Sequence, residues 1–385
     1  MKERKINLLG ATGSIGKQTL ALCRRHPEIK PINLTAKKNF KALADAAREF
    51  KVKSVCIGSE ELYKDLCTEL ADTDVKVLAG MSGISELAAD TDADITLNAI
   101  VGAAGLLPTE AAIKAHIDVA LANKETLVTG GSYIMGLAKN EGVTIYPVDS
   151  EHSAIFQCMQ GCADRGEVKK LLLTASGGPF FGKKREELES VTAVQALKHP
   201  NWDMGAKITI DSATMMNKGF ELIEACHLFG VSPDKVEIVV HRQSVIHSAV
   251  EYADGAVIAQ MGVPDMTVPI QYAITYPRRL DTGVKPLNLF EYGTLTFEKP
   301  DINTFSCLKA ACYAANSLDT TVGACINGAN EILVREFLAG HIRFTDIFDG
   351  VNNALEMTHF PADNIDTILL ADKHAREEAL RFINK

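Results

Sequence analysis

The segment YPVDSEHSAIFQ, residues 146–157, sets Asp149 and Glu151 two positions apart, with Ser150 between them and His152 following. In an extended chain such a pair projects to one side with α-carbons about 7 Å apart, close enough to share a cation. If a helix opens over HSAIFQCM instead, the same Asp or Ser reads as its N-cap and the acids suit its first turn. A second polar group lies in DSATMMNKGFELIEACHLFG, residues 211–230. At about 100° per helical residue, Asn217, Lys218 and Glu221 share one sector, while Leu222, Ile223, Cys226 and Phe229 share another. That polar sector is either an exposed face with a Lys218–Glu221 ion pair or part of a site. Ser212, Asn217 and Lys218 would supply hydroxyl, amide and ammonium donors to a phosphate within one strand-to-helix turn. Glu221 would then bring a third carboxylate to Asp149 and Glu151. Three carboxylates without an arginine cluster fit a hard divalent cation, magnesium or manganese.

A nucleotide signal stands near the start. KINLL reads as a buried strand running into GATGSIGKQTLALCRRHP, where Gly10, Gly13 and Gly16 form a G-x-x-G-x-x-G turn before an amphipathic helix. Glycines there let backbone amides approach a pyrophosphate at a helix N-terminus. In NAD enzymes an acid ends the second strand and holds the ribose 2′-hydroxyl. Here PINLTA is followed by Lys37, Lys38 and Asn39, which suits a 2′-phosphate and hence NADP, unless the lysines merely cap a solvated loop.

These residues need elements to carry them. SVCIG, VKVLAG, ADITLNAI, IDVALAN and VTIYPV alternate with helical stretches, the pattern of an α/β, doubly wound, Rossmann-like sheet. VGAAG (101–105), NKE (123–125) and DSE (149–151) fall at strand carboxyl ends, where such sheets bind ligands. A strand KKLLLTAS ends at Ser176, and about 30 polar or helix-forming residues follow, a length typical of lids. They hold His199, Met204 and Trp202, the only tryptophan, which reads equally as a loop anchor or as a ligand contact. KITIDSA then reads as a strand, and HRQSVIHS as a central strand in which His241 and His247 are structural. Four patterned segments from TFSCLKAACYAANS to NIDTILLADKHAREEALRFINK read as C-terminal helices.

Length and composition bound the rest. At 385 residues, with 46% hydrophobic and 6% aromatic residues, the chain reads as a globular protein of two or three domains. A net charge of −9 argues against nucleic acid and anionic membrane as partners. Nine scattered cysteines form no zinc-type cluster and suit a reducing compartment. Cys158 and Cys162 read as small packing residues. The N-terminus lacks a signal-peptide pattern and no run is long enough to span a bilayer, so the expectation is a cytoplasmic protein or the mature form of an organelle protein.

GATGSIG, ANKE, VDSEHSAIFQ, TASGGPF, HPNWDMG, DSATMMNKGFELIEA and PDM occur in order along nearly the whole chain. Together they resemble the 1-deoxy-D-xylulose 5-phosphate reductoisomerases, NADPH- and metal-dependent enzymes of non-mevalonate isoprenoid biosynthesis. The resemblance implies an NADPH domain over 1–148, an α+β catalytic and dimerisation domain over 149–285 with a lid at about 177–206, a linker over 286–301 and a helical bundle over 302–385. It implies that Asp149, Glu151 and Glu221 bind magnesium or manganese. Ser176, Ser212, Asn217 and Lys218 would hold the phosphate side of a sugar phosphate, with Lys124, Ser150, Glu151 and His199 at the substrate and Trp202 in the lid. Thr12, Gly13, Ser14, Ile15, Lys37, Lys38, Asn39, Asn123, Glu125, Gly205 and Met266 would line the cofactor. The family often has glycine after the alanine of the second strand, where Lys37 stands here. A semialdehyde or homoserine dehydrogenase would share the first domain without needing the carboxylates and phosphate donors. A nucleotide sensor would bind NADPH without metal-dependent turnover.

Overall fold

Arg4–Leu9 (β1) is buried over its last four residues and runs into the glycine turn before Ser14–Arg25 (α1). This computed structural model describes residues 3–202 and 204–384, which leaves Asp203 of HPNWDMG outside the described residues. The strand–helix alternation continues through Ile29–Ala36 (β2), Phe40–Phe50 (α2), Ser54–Ile57 (β3), Tyr63–Glu69 (α3), Lys76–Ala79 (β4) and Gly80–Ala88 (α4). Ile95–Asn98 (β5), Leu106–Lys114 (α5), Asp118–Leu121 (β6), Lys124–Glu141 (α6), Ile145–Pro147 (β7) and Ser150–Cys158 (α7) complete it. The seven strands form one parallel sheet ordered β4-β3-β2-β1-β5-β6-β7. β3 and β5 are buried at every residue, as expected of a parallel sheet covered on both faces. The strand order reverses between β1 and β5, which places a switch-point crevice at their carboxyl ends.

The remaining elements are Val168–Ala175 (β8), Arg185–Leu188 (α8), Ala193–Ala196 (α9), Ala206–Ala213 (α10), Met216–Phe229 (α11), Val236–Val240 (β9), Ile246–Tyr252 (β10), Val257–Met261 (β11) and Thr267–Thr275 (α12). Ser306–Ala314 (α13), Val322–Leu338 (α14), Phe344–Leu355 (α15) and Ile365–Ile383 (α16) close the chain. A second sheet has the order β11-β10-β8-β9, with β8 and β9 parallel and the other pairs antiparallel. In the bundle, Phe344 packs edge-on against Phe337 and Phe348, and Arg376 bridges Glu331 and Asp372 to tie α14 to α16.

Two compact units result, and they do not follow simple cuts along the sequence. The first comprises residues up to 126, 134–153 and 265–284; the second comprises 127–133, 154–264 and 285 onward. Ile270, Ala273 and Ile274 of α12 join the core of the first sheet with Ile6, Leu8 and Leu97, which explains why 265–284 returns to that unit.

Two local expectations change, and of the two conformations open to Asp149 and Glu151 the helical one is found. KITIDSA is the helix α10, not a strand: Lys207 pairs with Asp211 one turn on (2.8 Å), and Thr209 Oγ1 donates back to Gly205 O (2.8 Å). Its alternating Ile-Thr-Ile run was too short for periodicity to decide. Asp149 and Glu151 do not sit in an extended segment but straddle the start of α7. His241 lies just beyond β9, whereas His247 does sit in the inner strand β10.

Candidate active site

In the first unit the glycine turn is held by close backbone contact. Gly10 has φ +85°, and a Cβ there would come within 2.7 Å of Ala99 O; a Cβ on Gly16 would meet Gly10 O at 2.3 Å. Gly13 caps α1 without any side-chain hydrogen bond, and the first turn carries no acid. The helix therefore presents its first amides and its positive dipole end without an acid of its own, beside Thr12, Ser14 and Ile15, a cradle suited to a pyrophosphate. Lys37 and Lys38 are exposed beyond β2. Lys37 is not among the residues with positive φ, so a side chain is accommodated without backbone strain where the family often has glycine. Asn39 caps α2 by accepting from Ala42 N (3.1 Å).

At the end of β6, Asn123 caps α6 and donates to Ile100 O (2.6 Å), Gly102 O (2.9 Å) and Glu125 Oε2 (3.1 Å). It thereby ties the loop after β5 to the loop after β6. Lys124 is buried and its ammonium pairs with Asp149 Oδ2 at 2.8 Å. Asp149 Oδ1 accepts from Glu151 N and faces His152 Nδ1, both at 3.1 Å. Ser150 Oγ donates to Glu151 Oε2 at 2.5 Å. Asp149 is thus both a helix cap and a partly buried anion with two basic neighbours. His152, fully buried, is a member of this cluster that its sequence position beside Glu151 did not single out. Met266 caps α12 and packs on the core of the same unit.

In the second unit, Gly177 and Gly178 take φ +80° and +69°, and a Cβ on Gly178 would lie 2.6 Å from Ser212 O. This close approach sets the Ser176 loop against the end of α10, where Ser212 is buried. Met215, at φ +61°, turns the chain into α11. On α11, Asn217 Nδ2 donates to Glu221 Oε1 at 2.5 Å and Lys218 pairs with Glu221 Oε2. The helical wheel's sector is therefore real, but it is not an exposed face: Lys218 and Glu221 are 4% and 1% exposed. Trp202 lies 6.1 Å, centroid to centroid, from His247, and Gly205 is the N-cap of α10.

His199 Nε2 lies 3.1 Å from Ser176 Oγ, and Gly178 N donates to the same oxygen (3.2 Å). Burial lowers the His199 pKa from 6.5 to about 4, so the ring is neutral at pH 7. In the unfolded chain the ring titrates near 6.5, so on acidification the unfolded state takes up the proton first. The contribution of His199 to stability is full above that value, declines as pH falls toward about 4, and then levels off. His199→Gln should accordingly lose less stability than the unmodified protein between pH 7 and 4.5, read as urea midpoints. Parallel profiles for the two proteins would contradict a buried neutral ring.

Known proteins bear on these two clusters. The family model described as "1-deoxy-D-xylulose 5-phosphate reductoisomerase" matches residues 6–131, and two C-terminal-domain models of the same enzyme match 145–229 and 261–378. A 1-deoxy-D-xylulose 5-phosphate reductoisomerase of Lachnospira eligens is 51% identical over 371 residues, covering 96% of this chain and 97% of the relative. A crystal structure of DOX-P reductoisomerase in complex with NADPH, fosmidomycin and magnesium superposes with a TM-score of 0.94 at 42% identity, covering 99% of this chain and 98% of the other. The Zymomonas mobilis reductoisomerase in complex with NADPH gives 0.93 at 42% identity, with both chains covered completely. A semialdehyde or homoserine dehydrogenase would not carry the matches beyond the first domain. On both sequence and architecture, the chain belongs to the 1-deoxy-D-xylulose 5-phosphate reductoisomerase family.

Proposed function

We infer that this chain is an NADPH- and divalent-metal-dependent oxidoreductase that converts 1-deoxy-D-xylulose 5-phosphate to 2-C-methyl-D-erythritol 4-phosphate in isoprenoid biosynthesis. The observation that carries this reading is the near-complete match to a reductoisomerase structure holding NADPH, fosmidomycin and magnesium. The residues fit both groups. The Gly10–Gly16 turn brings backbone and a helix end without a side-chain cap together as a pyrophosphate cradle, and the acids supply only hard oxygen donors. We assign Asp149, Glu151 and Glu221 as the ligands of magnesium or manganese.

When bound, the divalent cation supplies Lewis-acid stabilisation of substrate oxygens, and NADPH supplies the hydride. The protein's own groups bind and orient. Ser176, Ser212, Asn217 and Lys218 form the donor set for the substrate phosphate. An ammonium has three donors, so the pairing of Lys218 with Glu221 is compatible with a phosphate contact. Lys124 and Ser150 orient the substrate beside Asp149 and Glu151, each through the pairing described for it. His199, neutral and hydrogen-bonded to Ser176, lies at the root of the lid that carries Trp202 and closes over substrate. Thr12, Gly13, Ser14, Ile15, Lys37, Lys38, Asn39, Asn123, Glu125, Gly205 and Met266 form the cofactor's contacts.

The reading also assigns residues 1–148 to NADPH, 149–285 to catalysis and a homodimer interface, and 302–385 to the helical domain. It includes a cytoplasmic location. In support, all nine cysteines are free thiols, and among the described residues no helix is long and apolar enough to cross a membrane.

A coenzyme-resolved assay tests this reading. With deoxyxylulose phosphate and magnesium, NADPH should be oxidised with much higher kcat/KM than NADH. Lys37→Ala combined with Lys38→Ala should erode that preference by about tenfold or more, because two cations facing a 2′-phosphate are lost. Equal efficiency with NADH in the unmodified protein would remove both lysines from the coenzyme site.

A further inference from the structure

The motif residues His199, Pro200, Asn201 and Trp202 form a closed turn around one ring nitrogen. Pro200 fixes its own φ and offers no N–H, so the next two amides can fold back. Asn201 N and Trp202 N both donate to His199 Nδ1, at 3.2 and 3.0 Å. A ring nitrogen that accepts from amides carries no hydrogen. The hydrogen of the neutral imidazole is therefore on Nε2, which donates to Ser176 Oγ at 3.1 Å. Ser176 Oγ already accepts from Gly178 N, so its own hydroxyl hydrogen is directed elsewhere.

A short turn does not hold such a geometry by itself. Asn201 supplies the tether: its side-chain Nδ2 donates to Arg242 O at 2.7 Å and to Ser244 Oγ at 2.8 Å. Both acceptors belong to the connection between β9 and β10, which is itself fixed. Ser244 takes φ +51°, rare for a residue with a side chain, and its N–H donates to His241 O at 3.1 Å. The Arg242 guanidinium stacks over Phe181, 5.0 Å from the ring centroid, in the segment that follows Ser176. One side-chain amide thus joins the root of the lid to the edge of the second sheet.

We propose that Asn201 is a positioning residue for the reductoisomerase reaction: by clamping the His199–Trp202 turn onto Arg242 and Ser244, it fixes His199 in the Nε2–H tautomer that donates toward Ser176. The proposal rests on the reading of Ser176 and His199 as substrate-side residues. It assigns Asn201 a task exerted through His199.

The test combines two readouts on the full-length protein. The tautomer is read by two-bond proton–nitrogen correlations on ¹⁵N-histidine-labelled protein, with His199→Gln assigning the signal. The unmodified protein should show a protonated Nε2 and an accepting Nδ1. Asn201→Ala should give interconverting tautomers and lower kcat/KM for deoxyxylulose phosphate about tenfold, with NADPH affinity unchanged, because only the orientation of a substrate-side group is lost. Asn201→Asp, equal in size but an acceptor, should behave like the alanine variant. Ser244→Ala, which keeps the Arg242 contact, should fall between. If either Asn201 variant keeps both the single tautomer and the full kcat/KM, the proposal is wrong. The two readings fail separately: a tautomer lock lost in Asn201→Ala but no turnover even in the unmodified protein overturns the assigned reaction, whereas normal turnover with an unaltered tautomer in Asn201→Ala overturns the tether.

Discussion

Glu221→Gln should retain no more than about a hundredth of the wild-type kcat while binding NADPH with unchanged affinity. The amide nearly preserves the shape of the carboxylate and removes one charge. If Glu221 helps hold the cation that stabilises developing oxyanion charge, the loss is of the order of 3 kcal/mol at the transition state, about a hundredfold in rate. Asp149→Asn and Glu151→Gln should behave in the same way, and raising the metal concentration should restore part of each loss. For Glu221 a further cost is expected in stability. Lys218 and Glu221 are both buried and paired, and neutralising one weakens the compensation of the other's charge, where full loss of a buried partner typically costs about 3–5 kcal/mol. Thermal unfolding separates the two effects: the assay belongs well below the variant's melting temperature, and intact NADPH binding shows that the first unit has folded. Near-normal turnover with unchanged metal dependence in all three variants would remove the proposed ligand set while leaving the fold in place.

Gly16→Ala should weaken NADPH binding by at least about tenfold. Its Cβ would come within 2.3 Å of Gly10 O and 2.5 Å of Ala11, all backbone, so no flexible side chain can yield. The turn itself must open, and overpacking of this kind typically costs about 1–3 kcal/mol. Part of that cost falls on stability, and the displaced Gly10–Gly13 amides carry the rest into cofactor affinity. Gly136→Ala is the matched control, because a Cβ there meets nothing within 4 Å. It should leave NADPH affinity untouched, and so should Gly16→Ala if the turn plays no part in binding. Titration of NADPH fluorescence on all three proteins distinguishes these cases.

The parts of this architecture that were legible in the sequence are those in which local pattern and burial coincide. β1 through β7 are short apolar runs between helical stretches, and burial on both faces of a parallel sheet demands just such runs. The C-terminal helices were legible for a related reason, since an amphipathic stripe needs only one covered face. KITIDSA misled because its alternation satisfies a strand template over seven residues, whereas the Lys207–Asp211 and Asn330–Asp211 contacts that stabilise it as a helix lie one turn and 119 positions away. The wheel placed Lys218 and Glu221 on one sector but could not show what covers them. α13 packs on α11 through another face, where Gly219 meets Ala311 so closely that a Cβ would come within 2.4 Å. The roles of His152 and Asn201 were equally hidden, because each depends on a partner's position in space and not on its own residue type.

The measurement that bears most directly on the central claim is NADPH oxidation, followed by absorbance, with metal-stripped protein and deoxyxylulose phosphate as magnesium or manganese is titrated back. The account predicts no oxidation without substrate, almost none without metal, and saturable restoration by either cation with 2-C-methyl-D-erythritol 4-phosphate formed in step with the NADPH consumed. NADPH binding without metal-dependent consumption, or oxidation at full rate in the metal-stripped protein, would contradict it.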